Sequence, residues 1–136
     1  MNLTYKMLNK SKKILTEISA GELLDKISIL EIKLNNIKDK EKLLEINKEY
    51  KSLKETRNSN IEITNDLQKL IGQLNEINLK LWNIEEEKRI CEKNGDFEKH
   101  FIQLSRNVYI NNDKRAKIKF DINKLLGSNI KEVKSY

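Results

Sequence analysis

Two polar side chains, Asn111 and Arg115, occupy positions of a helical repeat that otherwise holds apolar residues. Spacings that alternate between four and three residues are typical of a coiled-coil seam, which faces a partner helix. Burying an unpaired amide costs on the order of 1–3 kcal/mol, and burying an unpaired charge costs more. The two side chains must therefore face solvent, form hydrogen bonds with neighbouring polar side chains, or bind a ligand. The apolar positions of the same repeat are Phe97, Phe101, Leu104, Val108, Ile118, Ile122 and Leu125.

The residue types around this polar break would suit a small anionic ligand. Arg106 and Arg115 would donate hydrogen bonds in the fixed fork that matches carboxylates and phosphates, and Tyr109 and Asn112 would orient the ligand. We favour a structural interpretation over this one. A polar seam residue fixes register, and Arg115 would reach the surface or pair with Asp25 or Glu31 of another helix. The candidate polar cluster comprises Arg106, Tyr109, Asn111, Asn112, Asp113, Arg115, Asp25 and Glu31, with Asn75 and Asn78 available from the facing helix.

Other site chemistries have little support in the residue pattern. His100 is the only histidine and has no second histidine or cysteine near it, so we expect no zinc site. The acidic run at 85–87 points in several directions around a helix, which is typical of a solvated face. There is no phosphate-binding glycine loop, serine nucleophile elbow or close cysteine pair. We expect no catalytic residue, cofactor or metal, and lean against an enzyme.

The polar break lies on the second arm of a predicted helical hairpin. A seam of apolar residues from 63 to 91 is followed by Asn94-Gly95-Asp96, in which glycine suits a helix end and Asp96 suits the next N-cap. We predict helices over about 61–94 and 96–126. Folding back at Gly95 pairs Ile84 with Leu104, Leu81 with Val108, Lys88 with Phe101, Ile77 with Asn111, and Leu74 with Arg115.

Two further helices precede the hairpin. Ser19 and Glu22 form a capping box ahead of a strongly apolar helix over about 20–37. Asp39 caps a shorter helix over about 40–56, and residues 57–60 are predicted as a loop. We therefore predict an all-α, antiparallel helical bundle in a single domain spanning 1–136. Residues 1–18 form a variable segment, helical to about 13 and then extended, and residues 128–136 form a tail.

Two features of the long first arm lie off its seam. Gly72 indicates close packing against a neighbouring helix. Ile71 and Trp82 would form a second contact surface, and if left exposed they would bind a partner, including a second copy of the chain.

Composition limits the function classes. The 136 residues carry a net charge of +6, but the basic excess is spread out, and only the patch at 114, 115, 117, 119 and 124 is locally basic. Aromatic residues are too few for a base-stacking surface, so we do not favour nucleic acid as a partner. No apolar run could span a bilayer and no signal peptide is evident, so we expect a cytoplasmic protein. The single cysteine, Cys91, occupies a seam position and is expected to be buried.

Three segments together resemble an uncharacterised family of small helical proteins from bacteria and phages, described as a domain of unknown function. They are GELLDKISILEIK at 21–33, NDKRAKIK at 112–119, and an ending that runs from LLGS at 125–128 to KSY at 134–136. The resemblance covers about residues 18–136. It implies a compact helical fold and supplies no activity.

The sequence therefore leaves the function open and ranks three hypotheses. The first is a non-catalytic protein-interaction or scaffolding module, including a homodimer. The second is a helical protein, and possibly an enzyme, that binds a small molecule or anion at the polar cluster. The third is a weak, nonspecific nucleic-acid binder, whose affinity would fall steeply with salt.

Overall fold

Four helices that pack against one another make up the described part of the chain. The computed structural model describes residues 12–135, and no strand occurs in that range. The predicted all-α class is confirmed. In chain order the helices are α1 (Ala20–Asn36), α2 (Lys40–Asn60), α3 (Asn65–Asn94) and α4 (Lys99–Leu126).

The long hairpin of α3 and α4 is the scaffold of the fold. Gly95 ends α3 with a φ of 65°, a left-handed conformation in which glycine meets no steric penalty from a Cβ. The Lys88 ammonium lies 5.7 Å from the ring centre of Phe101. Ile84 and Leu104 belong to one buried cluster. Both contacts confirm the register predicted from a turn at Gly95.

Helix α1 packs against the hairpin, and its N-terminal half lies on the part that is remote from this turn. Leu24 of α1 forms the main core cluster with buried residues from both arms of the hairpin. Ser19 caps α1 as predicted, because its hydroxyl accepts a hydrogen bond of 3.2 Å from the backbone N–H of Glu22. The Glu22 carboxylate was expected to return a bond to the Ser19 backbone, and it pairs with Lys119 of α4 instead. The hairpin residues of the core cluster are Leu67, Leu74 and Ile122.

Helix α2 packs against α1 alone among the described helices. None of its residues is buried, and Leu44 is 71% exposed. The Tyr50 hydroxyl donates a hydrogen bond of 3.2 Å to the Glu31 carboxylate of α1. Helix α2 therefore covers the outer side of α1 and takes no part in the core.

The prediction of a loop at 57–60 is wrong, because α2 continues to Asn60. The last carbonyls of a helix need hydrogen-bond donors, and the sequence after Ser59 supplies them. The Asn60 side chain donates to the Thr56 carbonyl at 2.7 Å, and the Ile61 backbone N–H donates to the Arg57 carbonyl at 2.9 Å. The polar residues that suggested a loop thus close the helix.

The two hairpin helices begin later than predicted. Helix α3 starts at Asn65, where the Thr64 hydroxyl accepts a bond from the backbone N–H of Leu67. Helix α4 starts at Lys99, and Asp96, the predicted N-cap, instead accepts a bond from the backbone N–H of Glu98 within the turn. Both starts follow a short extended or turn segment whose polar side chains bond to the backbone.

The prediction that Gly72 packs closely against another helix is also wrong. A Cβ placed on Gly72 would have no atom within 4 Å, so the glycine lies beside open space. Gly127 ends α4 with a φ of 64°, as its position past the predicted helix suggested.

Residues 13–19 lead into α1 without helix or strand, and Ser19 is extended, which agrees with the predicted entry into α1. Most of the helix predicted before residue 13 lies outside the described residues. No helix in the range 12–135 combines the length and the apolarity needed to cross a membrane.

Candidate functional site

A buried carboxylate, Asp25 of α1, is the centre of the polar cluster. Only 1% of this residue is exposed. The Arg115 guanidinium of α4 meets it with two nitrogens: Nε donates to Oδ1 at 2.9 Å, and Nη2 donates to Oδ2. Of the two predicted partners of Arg115, Asp25 and Glu31, the structure shows the pair with Asp25.

Asn78 connects α3 to this ion pair. Its amide nitrogen Nδ2 donates to Asp25 Oδ1 at 2.9 Å and to Ser28 Oγ at 3.1 Å. Asn78 and Ser28 are both buried. The carboxylate therefore accepts three hydrogen bonds, which offset the cost of removing its charge from water. These contacts join α1, α3 and α4 at one point of the fold.

Lys119 extends the network to the C-terminal tail. Its ammonium lies 3.8 Å from Asp25 Oδ2, 2.7 Å from Glu22 Oε2 and 3.3 Å from Glu132 Oε2. Only 12% of the Lys119 side chain is exposed. Both cations that α4 directs at this junction, Arg115 and Lys119, are thus matched by carboxylates of the chain itself.

These contacts shift two pKa values. The hydrogen bond with Asp25 raises the pKa of Arg115, against the lowering effect of burial. Lys134, 3.0 Å away, and then Lys119 lower the pKa of the Glu132 carboxyl. Each shift favours the charged form, so both groups are ionised at neutral pH.

The remaining residues of the predicted cluster are distributed over several surfaces. Asn112 joins the network, because its Oδ1 accepts a bond of 3.3 Å from Arg115 Nη1. Glu31 bonds to Tyr50 of α2, away from Arg115. Three side chains are exposed and lie outside the network, namely Arg106, Tyr109 and Asp113. Neighbouring positions on one helix point in different directions, so a cluster read from sequence proximity separates in this way.

Asn111 is a buried polar residue of α4. Only 2% of the residue is exposed, and its Nδ2 donates to the Asn107 carbonyl at 2.7 Å. Its Oδ1 is buried and has no hydrogen-bond partner among the described residues. An unsatisfied carbonyl of this kind costs about 1–3 kcal/mol.

Gly21 and Asn123 hold the start of α1 against α4, and neither role was predicted. The Gly21 backbone N–H donates to Asn123 Oδ1 at 2.7 Å. A Cβ on Gly21 would lie 2.5 Å from the backbone oxygen of Lys119, so no larger residue fits. The available signal was a glycine in the first turn of a capped helix, where alanine would be a better helix former.

An open groove of about 480 Å³ lies beside the network, where the C-terminal half of α1 meets the hairpin. Its walls are mainly apolar, and the apolar side chains in them are all partly exposed. Three residues belong both to the network and to the groove, namely Asn78, Asn112 and Arg115. The lining residues are Ile29 and Ile32 of α1; Asn78, Leu81, Trp82, Glu85, Glu86 and Arg89 of α3; and Val108, Asn112 and Arg115 of α4.

The structure places Ile71 and Trp82, which were expected to share an exposed surface, in different surroundings. Ile71 packs against the main core cluster. Trp82 lines the groove and is partly buried. Ile71 is also partly exposed but does not line the groove, so of the two residues only Trp82 is available to a partner bound there.

The other reactive residue types are dispersed. No group of three or more His, Cys, Asp or Glu side chains in residues 12–135 is arranged to hold a metal ion. His100 Nε2 lies 3.6 Å from Glu87 Oε2 on the surface. Cys91 is buried as predicted, and burial, followed by the charges of Asp96 and Glu87, raises the pKa of its thiol. A protonated thiol is a poor nucleophile.

A family model described as a family of unknown function, DUF6165, matches residues 14–136. This range begins slightly before the segment near residue 18 in which the sequence resemblance starts. No curated protein and no solved structure matches the chain.

Proposed function

The chain belongs to the family of unknown function DUF6165, and we propose that it is a non-catalytic protein-interaction module that binds its partner in the groove beside Trp82. The groove carries the proposal. It is an opening of about 480 Å³ with partly exposed apolar walls, next to a polar network whose charges are already paired.

Two of its residues are types that dominate binding energy at protein interfaces. Tryptophan and arginine are enriched among the few side chains whose truncation weakens a complex most. Asp25 holds Arg115 in one conformation through two hydrogen bonds. A side chain ordered before binding loses less conformational entropy when the partner arrives. The ion pair therefore supports the groove as a preformed surface.

Binding of a small molecule in the same groove is the second candidate. Its volume falls in the range of about 300–1,000 Å³ that is usual for ligand pockets, and its polar end is formed by Arg115, Asn112 and Asn78. An anion has weaker support, because Arg115 and Lys119 already face Asp25 and Glu22.

Nucleic-acid binding has the least support. On the basic side of α4, Arg115 and Lys119 belong to the network, and Lys117 lies 3.3 Å from Asp121. Affinity for phosphates comes mainly from Lys and Arg side chains that displace counterions from the nucleic acid. Internal pairing reduces the number of such cations.

Three further expectations belong to this proposal: a location in the cytoplasm, a bacterial or phage source, and coiled-coil packing along the hairpin. A homodimer joined through the groove is one form of the proposed interaction. Light scattering of the purified protein tests the homodimer, and a single monomeric species would exclude it.

Photocrosslinking in cells of the source organism tests the proposed function. A photoreactive amino acid at Ile32, in the groove, should give a discrete polypeptide adduct that disappears when Trp82→Ala is added. The same group at Leu44, which is 71% exposed on α2, is the matched control and should give none. A metabolite that raises the melting temperature, together with no polypeptide adduct from position 32, would contradict the proposal and favour the second candidate.

A further inference from the structure

The charges at the mouth of the groove are unevenly balanced. The exposed charged residues that line the groove, here called its mouth, are Glu85, Glu86 and Arg89. None of them forms an ion pair within residues 12–135. Arg115 also lines the groove, but Asp25 opposes its charge. The two carboxylates therefore outnumber the one arginine that remains uncompensated, and the mouth is locally acidic.

The net charge of the mouth is opposite in sign to that of the whole chain, which is +6. A partner attracted by the overall charge alone would be acidic. Charges placed at the edge of a binding surface favour partners of complementary sign and disfavour others. The mouth of the groove would therefore select for basic groups.

Spacing along α3 relates the acidic residues to the apolar wall. Glu85 and Glu86 follow Trp82 by three and four residues, so they lie one helical turn from it towards the hairpin turn. At the other end, Asn112 Oδ1 accepts a bond from Arg115, and the Asn112 amide nitrogen is left to donate to a partner. Acidic, apolar and amide groups thus follow one another along the groove, starting from the side nearer the hairpin turn.

We propose that the groove binds an amphipathic helix that places a large apolar side chain beside Trp82 and a lysine or arginine, about one turn away, against Glu85 and Glu86. This inference rests on the proposed function. Binding of a helix through one apolar face is a recurrent mode of recognition, in which residues spaced by three or four positions act as anchors.

Trp82 is the only tryptophan of the chain, so its fluorescence reports directly on the groove. The probes are two synthetic helices of about 14 residues, long enough to form in the bound state. They share one leucine pattern and lack tryptophan, and the polar face carries lysines in one and glutamates in the other. We expect the lysine helix, and not the glutamate helix, to shift Trp82 emission to shorter wavelength.

Neutralising the mouth should weaken this binding. Glu85→Gln with Glu86→Gln should reduce affinity for the lysine helix about tenfold, as expected for two partly exposed charge pairs, and should lessen its salt dependence. Glu76→Gln with Glu92→Gln is the matched control, because both residues are exposed on α3 and neither lines the groove. This control should bind like the wild type.

Two results would contradict the proposal that the bound helix is basic. One is equal or stronger binding of the glutamate helix at Trp82, which would leave the groove as an interaction site. The other is no emission change with the lysine helix. In that case the proposed function stands if position 32 still crosslinks to a polypeptide, and it falls if no adduct forms.

Discussion

Replacing Arg115 by alanine tests whether the polar cluster stabilises the fold. The change removes two of the three hydrogen bonds that Asp25 accepts and leaves Asn78 and the more distant Lys119 beside a carboxylate that is 1% exposed. Removing one partner of a buried ion pair costs about 3–5 kcal/mol. Because the Arg115 side chain is 27% exposed, solvent screens part of its charge, and we expect a loss of about 2–4 kcal/mol.

Denaturant unfolding followed by circular dichroism measures this loss. Each kcal/mol lost from the free energy of unfolding should also lower the melting temperature by roughly 3–5 °C for a chain of this size. Lys117→Ala is the matched control on the same helix, since its ion pair with Asp121 is at the surface and its side chain is 76% exposed. This control should change the free energy of unfolding by no more than about 0.5 kcal/mol.

A double-mutant cycle separates the ion pair from general effects of truncation. Asp25→Leu combined with Arg115→Met removes both charges, and Asn78 retains its bond to Ser28. Paired removal of buried charges is often close to neutral, so the double variant should recover at least half of the loss shown by the single variant Arg115→Met, and Asp25→Leu alone completes the cycle. An Arg115→Ala protein as stable as the Lys117→Ala control, or single effects that simply add, would refute the reasoning.

Three further changes test other parts of the structure. Gly72→Ala should stabilise the protein by about 1 kcal/mol because a Cβ there meets open space, whereas Gly21→Ala should destabilise it because its Cβ would meet the Lys119 backbone; melting curves with the same sign for both would contradict the two assignments. Asn111→Leu should stabilise the hairpin by about 1–2 kcal/mol in denaturant unfolding, since it removes an unpaired carbonyl from the seam, and a net loss would show that the amide is needed there. The pKa of Glu132 is lowered, so its pairing stabilises the fold above the ordinary pKa of the carboxyl and is lost as the pH falls through the lowered value. Glu132→Gln should therefore cost up to about 1 kcal/mol near pH 7 and nothing near pH 2, and an unfolding difference that persists in acid would rule out the ion pairs as its source.

The fold was predictable from the sequence where a single physical rule determines the local structure. Gly95 marks the turn because few other residues tolerate a positive φ, and a turn at a known residue fixes the register of both arms. The Lys88–Phe101 contact follows from that register alone. The boundary at Asn60 was not predictable in the same way, because asparagine and serine favour loops and helix ends almost equally.

The candidate site was predictable only in part. Asp25 and Glu31 could be named as partners of Arg115, because a partly buried arginine needs a carboxylate and few acidic residues lie on the capped helix, but the sequence did not choose between them. Asn78 was available on the facing helix, but its bond to Ser28 depends on how α1 is rotated over the hairpin. The close approach at Gly21 depends on the same rotation. Sequence periodicity indicates which face of a helix is buried and leaves this rotation undetermined.

The polar network determines how α1 is placed on the hairpin, which sequence periodicity leaves undetermined. The apolar surface of α1 is broad, so its hydrophobic periodicity does not specify the position of α1 along the hairpin. Asp25 and Ser28 meet Arg115 and Asn78 in a single position, and any shift would leave a charge buried without a partner. The same position opens the groove, because Arg115 and Asn78 also line it. The network that fixes α1 therefore also fixes the shape of the surface to which we assign partner binding, and a variant that loses the Asp25–Arg115 pair should lose discrimination between partners as well as stability.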